Sequence, residues 1–461
     1  MRIDIVVVSQ PRYRRGHEKN FVPPITGIHL AALVPREHRV RVFHQQVEIP
    51  PVQTDADLVF LSFFTGFAPE AYRLAGLYQK QGVPVVAGGP HATFWPEEAL
   101  QYCDCVVTGE AESVMSELLN DVAKGRLKRV YRGQSQPLEH LPTPRYDLLN
   151  SGYFLPHVIQ ATRGCPFSCS FCSVPSVNPG FRVRPVAEVL RDVRYDDFAD
   201  WWQRQVVWFW DDNLTARRAW IKELLRAMIP LGKWWLTQAS MDIVRDAELL
   251  DLMEASGCIG VFFGIETFGA SSLREANKKQ NRADTYREAV AAMHRRGIAV
   301  MAGFIAGFDG DTEEDIVGMA DRLMEIGIDV PFLSILTPYR GTPLFDRMQA
   351  EDRLLMDRGW QYYNGYNVAF QPASMAPETL LAAHRALWER AFSPAHVTRR
   401  LLAARHLRRG AALLSAFMNG FYGFKRVSRN APIDMTGHEV SVGAGPASAP
   451  STFQPRVGGR P

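Results

Sequence analysis

Three cysteines lie within eight residues of this 461-residue chain, and their side chains are the best suited to bind a metal. They are Cys165, Cys169 and Cys172, in the run Arg163-Gly-Cys-Pro-Phe-Ser-Cys-Ser-Phe-Cys172. Thiolates at such spacing bind iron–sulfur clusters or zinc. A closed cluster or a structural zinc needs four ligands, and no fourth cysteine lies nearby. The sequence therefore predicts an iron–sulfur cluster with one open iron; a zinc site completed by a remote histidine is the alternative.

The composition indicates a folded protein with two or three domains. Hydrophobic residues make up 46% of the chain and aromatic residues 11%, enough to bury sizeable cores. A net charge of +3 gives no reason to expect nucleic-acid binding. The six cysteines are few for this length and favour a reducing compartment. With no long apolar run and no signal-peptide pattern at the N-terminus, we expect a cytoplasmic protein.

Strand-like and helix-like stretches alternate along residues 1–125. The alternation predicts a parallel sheet covered by helices on both faces, a doubly wound, Rossmann-like domain. Ligands of such sheets bind beyond the carboxyl ends of the strands, so residues 62–66, 88–93 and 109–112 should share one rim. The expected strands cover residues 3–9, 39–47, 58–63, 84–87 and 105–108.

A second series of strands and helices follows residues 126–150, a proline-containing stretch expected to be a linker. Six βα units across residues 151–345 predict a partial (β/α)6 barrel of the TIM type, with its chemistry at the carboxyl ends of the strands. Residues 346–429 are expected to be helical and residues 430–461 to form a disordered tail. The expected barrel strands cover residues 157–162, 206–210, 235–239, 260–265, 299–305 and 331–337.

The cysteine motif, with Phe171 directly before its last cysteine, resembles the signature of radical S-adenosylmethionine (SAM) enzymes. The resemblance covers about residues 155–345. It implies that the three cysteines hold a [4Fe–4S] cluster and that SAM chelates its open iron. An electron from a donor such as a flavodoxin or ferredoxin would then cleave SAM to methionine and a 5′-deoxyadenosyl radical.

The resemblance also implies SAM contacts near the ends of the barrel strands. Asp212 is the candidate acceptor for the SAM amino group, and the alternative is that it caps a helix beginning at Leu214. Glu266 is a candidate acceptor for the ribose hydroxyls. In the run from Gly303 to Gly307, small residues would admit the adenine, unless the glycines only serve a strand-to-helix turn. The further candidates for SAM binding are Phe171, Gln238, Gly303, Ile305 and Gly307.

The glycine-rich strand ends of the first domain resemble those of the cobalamin-binding domain fused to many radical SAM proteins. Glycines at strand ends let a large planar ligand approach the backbone. A domain without cobalamin that serves only as a scaffold is the alternative. The residues expected to contact cobalamin are Ser62, Thr65, Gly66, Gly88, Gly89, Gly109 and Glu110.

The histidine motif Asp-x-His-x-x-Gly, which supplies the lower axial ligand in other cobalamin proteins, is missing from the sequence. His44 lies in a comparable region, and His91 is expected to belong to a rim loop rather than to bind cobalt. The axial ligand of the cobalt is therefore left open.

Together the resemblances imply a cobalamin-dependent methyltransferase that acts on an unactivated carbon of a small molecule, related to hopanoid methylases and to the anaerobic bacteriochlorophyll cyclase. One SAM would methylate the cobalamin, and a second would generate the radical. The alternatives are a ring cyclase that does not methylate, or a sensor without catalysis.

The region 394–429 is rich in arginine and in large apolar residues and contains no acidic residue. Such a segment can lie on an anionic membrane, which would place the protein at the inner membrane and favour a hydrophobic substrate. A helical cap over the barrel with a solvated basic face is the alternative and is slightly favoured.

Overall fold

The computed structural model describes residues 1–10, 20–150 and 152–427, and it contains two six-stranded parallel sheets. The expected disordered tail lies outside the described residues. The first sheet has the strand order β2-β1-β3-β4-β5-β6, and every neighbouring pair is parallel. Its strands are β1 Arg2–Val7, β2 Arg39–His44, β3 Leu58–Ser62, β4 Val85–Gly88, β5 Cys105–Thr108 and β6 Val130–Arg132.

Strand β6 corrects the prediction that residues 126–150 are a linker. Val130–Arg132 pairs in parallel with β5 and forms the edge of the first sheet. Its central side chain, Tyr131, is buried, and the Tyr131 hydroxyl donates a hydrogen bond of 2.9 Å to Asp121. A strand of three residues is too short to show the alternation by which strands are recognised in a sequence.

The second sheet is an open barrel of six parallel strands in chain order, as the βα pattern predicts. Among the described residues, the first and last strands of this sheet do not pair with each other, so the barrel is not closed. The sheet consists of β7 Val158–Ile159, β10 Val206–Phe209, β11 Trp234–Ala239, β12 Cys258–Glu266, β13 Ala299–Ala306 and β14 Val330–Ile335.

The first predicted barrel strand, residues 157–162, is shorter than expected. Only Val158–Ile159 joins the barrel, while β8, Thr162–Arg163, pairs antiparallel with β9, Arg182–Val183. The loop between β8 and β9 carries the three cysteines. This small hairpin therefore fixes both ends of the cysteine loop.

Helices cover both faces of the first sheet and the outside of the barrel. The helices of the first sheet are Thr26–Leu33, Ala68–Gln79, Pro90–Phe94, Pro96–Ala99 and Met115–Ala123. Those of the barrel are Val174–Val177, Val186–Val193, Trp201–Gln205, Arg218–Met228, Ala247–Ala255, Ala270–Glu275, Tyr286–His294, Glu313–Ile326 and Pro343–Ala350. The C-terminal helices are Pro377–Ala391, Pro394–Ala403 and Arg409–Val427.

The helix Arg409–Val427 packs against the face of the barrel sheet that the surrounding helices do not cover. Leu414 and Met418 are buried in the same core as Ile259 and Met301 of the barrel strands. A Cβ atom on Gly260 would lie 2.6 Å from Leu414, so glycine there admits the helix. Within the described part of the chain, no helix combines the length and the apolar character needed to cross a membrane.

Candidate active site

The three cysteines lie together on the loop between β8 and β9, with polar donors directed at their sulfur atoms. The side-chain amide of Asn213 lies 3.9 Å from the sulfur of Cys165, and that of Gln280 lies 3.9 Å from the sulfur of Cys169. Burial raises the pKa of the Cys172 thiol to about 12. A bound iron replaces that proton with positive charge, and N–H donors stabilise thiolate sulfur. The donor set therefore fits an iron–sulfur cluster.

Two consecutive acids at the end of β10 hold the strand that leads into the cysteine loop. Asp211 is buried and accepts hydrogen bonds from the backbone N–H of Ala161, at 3.0 Å, and from the hydroxyl of Thr162, at 2.7 Å. Burial, the largest effect, raises the pKa of the Asp211 carboxyl to about 7. Asp212 accepts a hydrogen bond of 3.2 Å from the N–H of Gly164.

The proposed capping role of Asp212 is wrong, because the next helix begins at Arg218 rather than at Leu214. Asp212 instead lies next to the cysteine loop, where it contacts the backbone one residue before Cys165. Contact with the SAM amino group stays a prediction for this residue. Asn213 was not predicted to be a site residue, but its side-chain amide contacts Cys165 and also donates a hydrogen bond of 3.2 Å to Ser240.

Glu266 ends β12 with a positive φ of 68°, a strained conformation for a residue other than glycine. Its carboxylate forms an ion pair with Lys278. The Lys278 ammonium lies 5.9 Å from the centre of the Phe171 ring and so connects Glu266 to the cysteine loop. Lys278 was not predicted, because it lies 12 positions after Glu266 in the chain, beyond a loop and a short helix.

The other candidates for SAM binding lie at the ends of the neighbouring strands. A Cβ atom on Gly303 would lie 2.7 Å from the Phe262 ring, so this glycine makes room for Phe262 in the structure. Gly307 has a φ of 107° and donates a backbone hydrogen bond of 2.9 Å to Asp311. The carbonyl of Gln238 accepts a hydrogen bond from Leu214 at 3.2 Å. Ile305 is half-buried on β13, and for all four residues contact with SAM stays a prediction.

A cavity of about 280 Å³ lies at the carboxyl ends of the strands of the first sheet. One side of the cavity belongs to the glycine-rich rim, and the other side belongs to the cysteine loop and its hairpin. From the rim come Ser62, Gly88, Gly89, Gly109 and Glu110. From the hairpin side come Gln160, Arg163, Val177 and Asn178. The cavity therefore fits a ligand that bridges the two halves of the protein.

Two of the residues expected to contact cobalamin, Thr65 and Gly66, do not line this cavity. Both are buried in the short turn Thr65–Phe67. A Cβ atom on Gly66 would lie 2.8 Å from the carbonyl oxygen of Tyr363, so the glycine is needed for packing against a later segment of the chain. That contact joins residues nearly 300 positions apart, and the local pattern of a glycine loop cannot reveal it.

The histidines considered for cobalt do not line the cavity either. His44 is fully buried, and burial lowers its pKa to about 4. His91 is also buried, with its Nε2 atom 3.0 Å from the hydroxyl of Tyr72. His29 does line the cavity, but its Nε2 atom lies 2.7 Å from the carboxylate of Glu112.

A buried ion network connects the rim to the cysteine loop. Arg163, two residues before Cys165, pairs with Glu110 at 3.1 Å and also with Glu112. Arg182 of β9 donates a second hydrogen bond, of 3.0 Å, to Glu110. The side chains of Arg163 and Glu110 are only 8% and 7% exposed. Because these charges are withdrawn from water, each needs its partners, and the network fixes the rim against the loop.

The substitution Gly88→Val is expected to block cobalamin without disturbing the fold. A Cβ atom on Gly88 would meet only the carbonyl oxygen of Val107, at 3.9 Å, so the larger side chain extends into the cavity. We expect the affinity for cobalamin to fall by about 10-fold or more, because the valine side chain would occupy space that cobalamin needs. Absorbance of the protein after reconstitution measures bound cobalamin. The matched control, Gly76→Val, lies on a helix with nothing within 4 Å and should bind normally; equal binding by both variants would contradict the assignment.

The pH dependence of stability should report on Glu112. Burial raises the pKa of its carboxyl, but the hydrogen bond from His29 and the charge of Arg163 outweigh burial and hold the pKa well below its usual range. A lowered pKa in the folded state adds stability above the ordinary pKa, and this stability is lost as the pH falls.

The measurement compares the unfolding free energies of the wild type and Glu112→Gln. The variant should be less stable by about 3 kcal/mol at pH 7, and the difference should shrink between about pH 5 and pH 3. Urea titrations at each pH provide the values. A difference that does not change with pH would show that Glu112 carries no charge in this network.

A loop with three cysteines at the barrel rim, beside a glycine-lined cavity of a doubly wound sheet, is the arrangement expected of a cobalamin-binding radical SAM enzyme. Family models for the radical SAM superfamily and the B12 binding domain match residues 159–323 and 39–119. A third, a domain of unknown function (DUF4070), matches residues 342–415. The chain belongs to the cobalamin-binding radical SAM family, and its cofactors are a [4Fe–4S] cluster, SAM and cobalamin.

Curated relatives and a solved structure agree with this assignment. The chain is 33% identical over 371 residues to bacteriochlorophyllide d C-12(1)-methyltransferase of Chlorobaculum tepidum, covering 78% of this chain and 80% of the relative. It is 26% identical over 355 residues to the hopanoid C-2 methylase of Rhodopseudomonas palustris, covering 73% and 66%. The radical SAM methyltransferase TsrM of Kitasatospora setae shares the fold, with a TM-score of 0.65, 16% identity and coverage of 93% and 99%.

Proposed function

We propose that this enzyme transfers a methyl group to an unactivated carbon of a hydrophobic small molecule. The observation that carries the proposal is a cavity lined by the glycine rim on one side and by Arg163 and Asn178 on the other. When bound, the cluster and SAM supply a carbon-centred radical, and cobalamin supplies the methyl group. A cavity shared by both halves allows both kinds of chemistry to reach one substrate carbon.

The residues of the chain have separate tasks in this proposal. Cys165, Cys169 and Cys172 hold the cluster, while Asp212 and Glu266 orient SAM beside it. On the rim, Ser62, Gly88, Gly89, Gly109 and Glu110 hold the edge of the cobalamin. The ion network of Glu110 with Arg163 and Arg182 keeps the two cofactors at a fixed separation and orientation.

For the substrate we propose a side chain of a tetrapyrrole. Two large aromatic residues of the rim, Phe64 and Phe67, line the cavity, and Phe64 is 61% exposed. Exposed aromatic surface beside a cavity suits a flat, apolar ligand. The relative with 33% identity acts on a bacteriochlorophyllide. A hopanoid is the competing substrate suggested by the second relative.

For the location of the enzyme we propose the cytoplasm, with contact to the inner membrane through the outer surface of residues 394–427. Leu402, Leu413 and Phe424 are each more than half exposed there, among basic residues. Apolar and cationic side chains together favour an anionic lipid surface. Flotation with vesicles of anionic lipid should recover the wild type but not a variant with serine at these three positions. Equal recovery of both would contradict membrane contact.

Turnover with SAM that carries a trideuterated methyl group tests the proposal. The reconstituted enzyme is incubated anaerobically with bacteriochlorophyllide d, or in parallel with a hopanoid, and the products are analysed by mass spectrometry. We expect one trideuterated methyl group in the tetrapyrrole product and 5′-deoxyadenosine beside it. A new ring without label would indicate a cyclase, and label in the hopanoid alone would overturn the proposed substrate.

A further inference from the structure

A groove of about 480 Å³ lies on the protein surface beside the cysteine loop, and its walls carry mostly positive charge. It is lined by the helix Ala270–Glu275 and by the segment that follows it. Arg274, Lys279 and Arg282 are exposed on its walls, and Asp284 is the acid among them, paired with Arg282 at 2.7 Å. The groove therefore presents a net positive surface to solvent.

The segment that lines the groove also contacts the cluster loop directly. The side chain of Asn277 donates a hydrogen bond of 2.7 Å to the carbonyl of Ser168, which lies directly before Cys169. The backbone N–H of Ser170, directly after Cys169, donates a hydrogen bond of 3.0 Å to Ala276. One layer of chain therefore separates the groove from a cluster thiol.

The groove and the cobalamin cavity are lined by different residues, and none lines both. The cavity is lined by Arg163, Val177 and Asn178 around the two ends of the cysteine loop, whereas the groove lies against its middle, at Ser168 and Ser170. Pro166 and Ser168 of the loop are exposed. A protein seated on the groove would approach the cluster without entering the space for cobalamin and substrate.

We propose that this basic groove docks an acidic one-electron donor protein of the flavodoxin type. This proposal rests on the radical SAM function of the enzyme. The reduced donor loses one electron and the cluster gains one, with no bond made or broken in the docking step. Charge complementarity between an acidic donor and Arg274 and Lys279 speeds the encounter and orients it. The short path through Asn277 and Ser168 then brings the donor close to the cluster.

The test compares a double variant of the groove with a control of equal charge change. In Arg274→Glu/Lys279→Glu two exposed cations become acids; in Lys80→Glu/Lys124→Glu the same change is made on the first domain, at exposed positions. Titration calorimetry measures binding of oxidised flavodoxin to each protein without turnover. Formation of 5′-deoxyadenosine is then measured with flavodoxin, kept reduced by its reductase and NADPH, and separately with dithionite and methyl viologen.

For the groove variant we expect binding of flavodoxin and the flavodoxin-supported rate to fall by about 10-fold, with the viologen-supported rate unchanged within about 2-fold. The difference from the wild type should shrink as salt is raised from about 0.05 M to about 0.5 M. The control should match the wild type throughout. Unchanged binding and rate, or an equal fall with both reductants, would overturn the proposal. A wild type that forms no 5′-deoxyadenosine with either reductant would instead refute the radical SAM function itself.

Discussion

Replacing Cys165 with alanine is expected to abolish the formation of 5′-deoxyadenosine from SAM. The three cysteines of one loop are the expected ligands of the cluster, so the loss of one would leave an iron without its thiolate. The variant should lose most of its iron and sulfide and the broad absorbance of the cluster after anaerobic reconstitution. Iron analysis and product measurement on the same sample provide the test.

A matched control is available on a strand of the barrel. Cys258 is buried at the start of β12, its thiol hydrogen atom is directed at the carbonyl of Gly260, and it is not part of the loop. Cys258→Ala should cost about 1 kcal/mol of stability and retain the iron and the activity. If Cys165→Ala kept its iron and produced 5′-deoxyadenosine, this cysteine would not be a cluster ligand.

Replacing Glu110 with glutamine is expected to separate radical formation from methyl transfer. Glu110 lines the cavity at the rim of the first sheet and accepts hydrogen bonds from Arg163 and Arg182 of the cysteine hairpin. Glutamine has nearly the same shape, but its amide would face two guanidinium groups that have lost their counter-charge. The rim should then shift against the loop, and a misplacement of about 1 Å can cost about 100-fold in rate.

The measurement is the ratio of methylated product to 5′-deoxyadenosine. We expect the product to fall by about 10- to 100-fold, while 5′-deoxyadenosine stays within about 3-fold. Arg182→Gln removes one of the two arginines that bind Glu110, at a partly exposed position. It should also lower the ratio of methylated product to 5′-deoxyadenosine, but by less than Glu110→Gln. The exposed Glu117→Gln serves as control, because it only breaks a surface pair with Lys128. A proportional loss of both products, or no loss, would contradict a positioning role for Glu110.

The parts of the site that could be predicted from the sequence are those encoded within a few neighbouring residues. The cysteine spacing is complete within eight residues, and Gly88 and Gly89 directly follow an apolar strand. The fold class was predicted because the alternation of strands and helices repeats along the chain. Strand β6 has too few residues to carry such a pattern, and β7 was predicted at the right place but with too many residues.

The contacts that join the two halves could not be predicted, because their partners lie far apart in the chain. Arg163 pairs with Glu110 and Glu112, which are 53 and 51 residues away and follow β5 of the first sheet. Arg182 lies 72 residues from Glu110. Charged residues are common at such positions, and only the packing of the sheets shows which of them meet. For the same reason Gly66 was assigned to a ligand, although Tyr363 occupies the space beside it.

A crystal structure of the reconstituted enzyme with cobalamin and SAM bound would test the central claim most directly. We expect cobalamin in the cavity between the rim at Gly88 and Gly109 and the hairpin at Arg163, with its upper face directed toward the cluster held by Cys165, Cys169 and Cys172. Cobalamin bound elsewhere on the protein, or turned away from the cluster with Glu110 and Arg163 separated, would contradict a shared site for radical formation and methyl transfer.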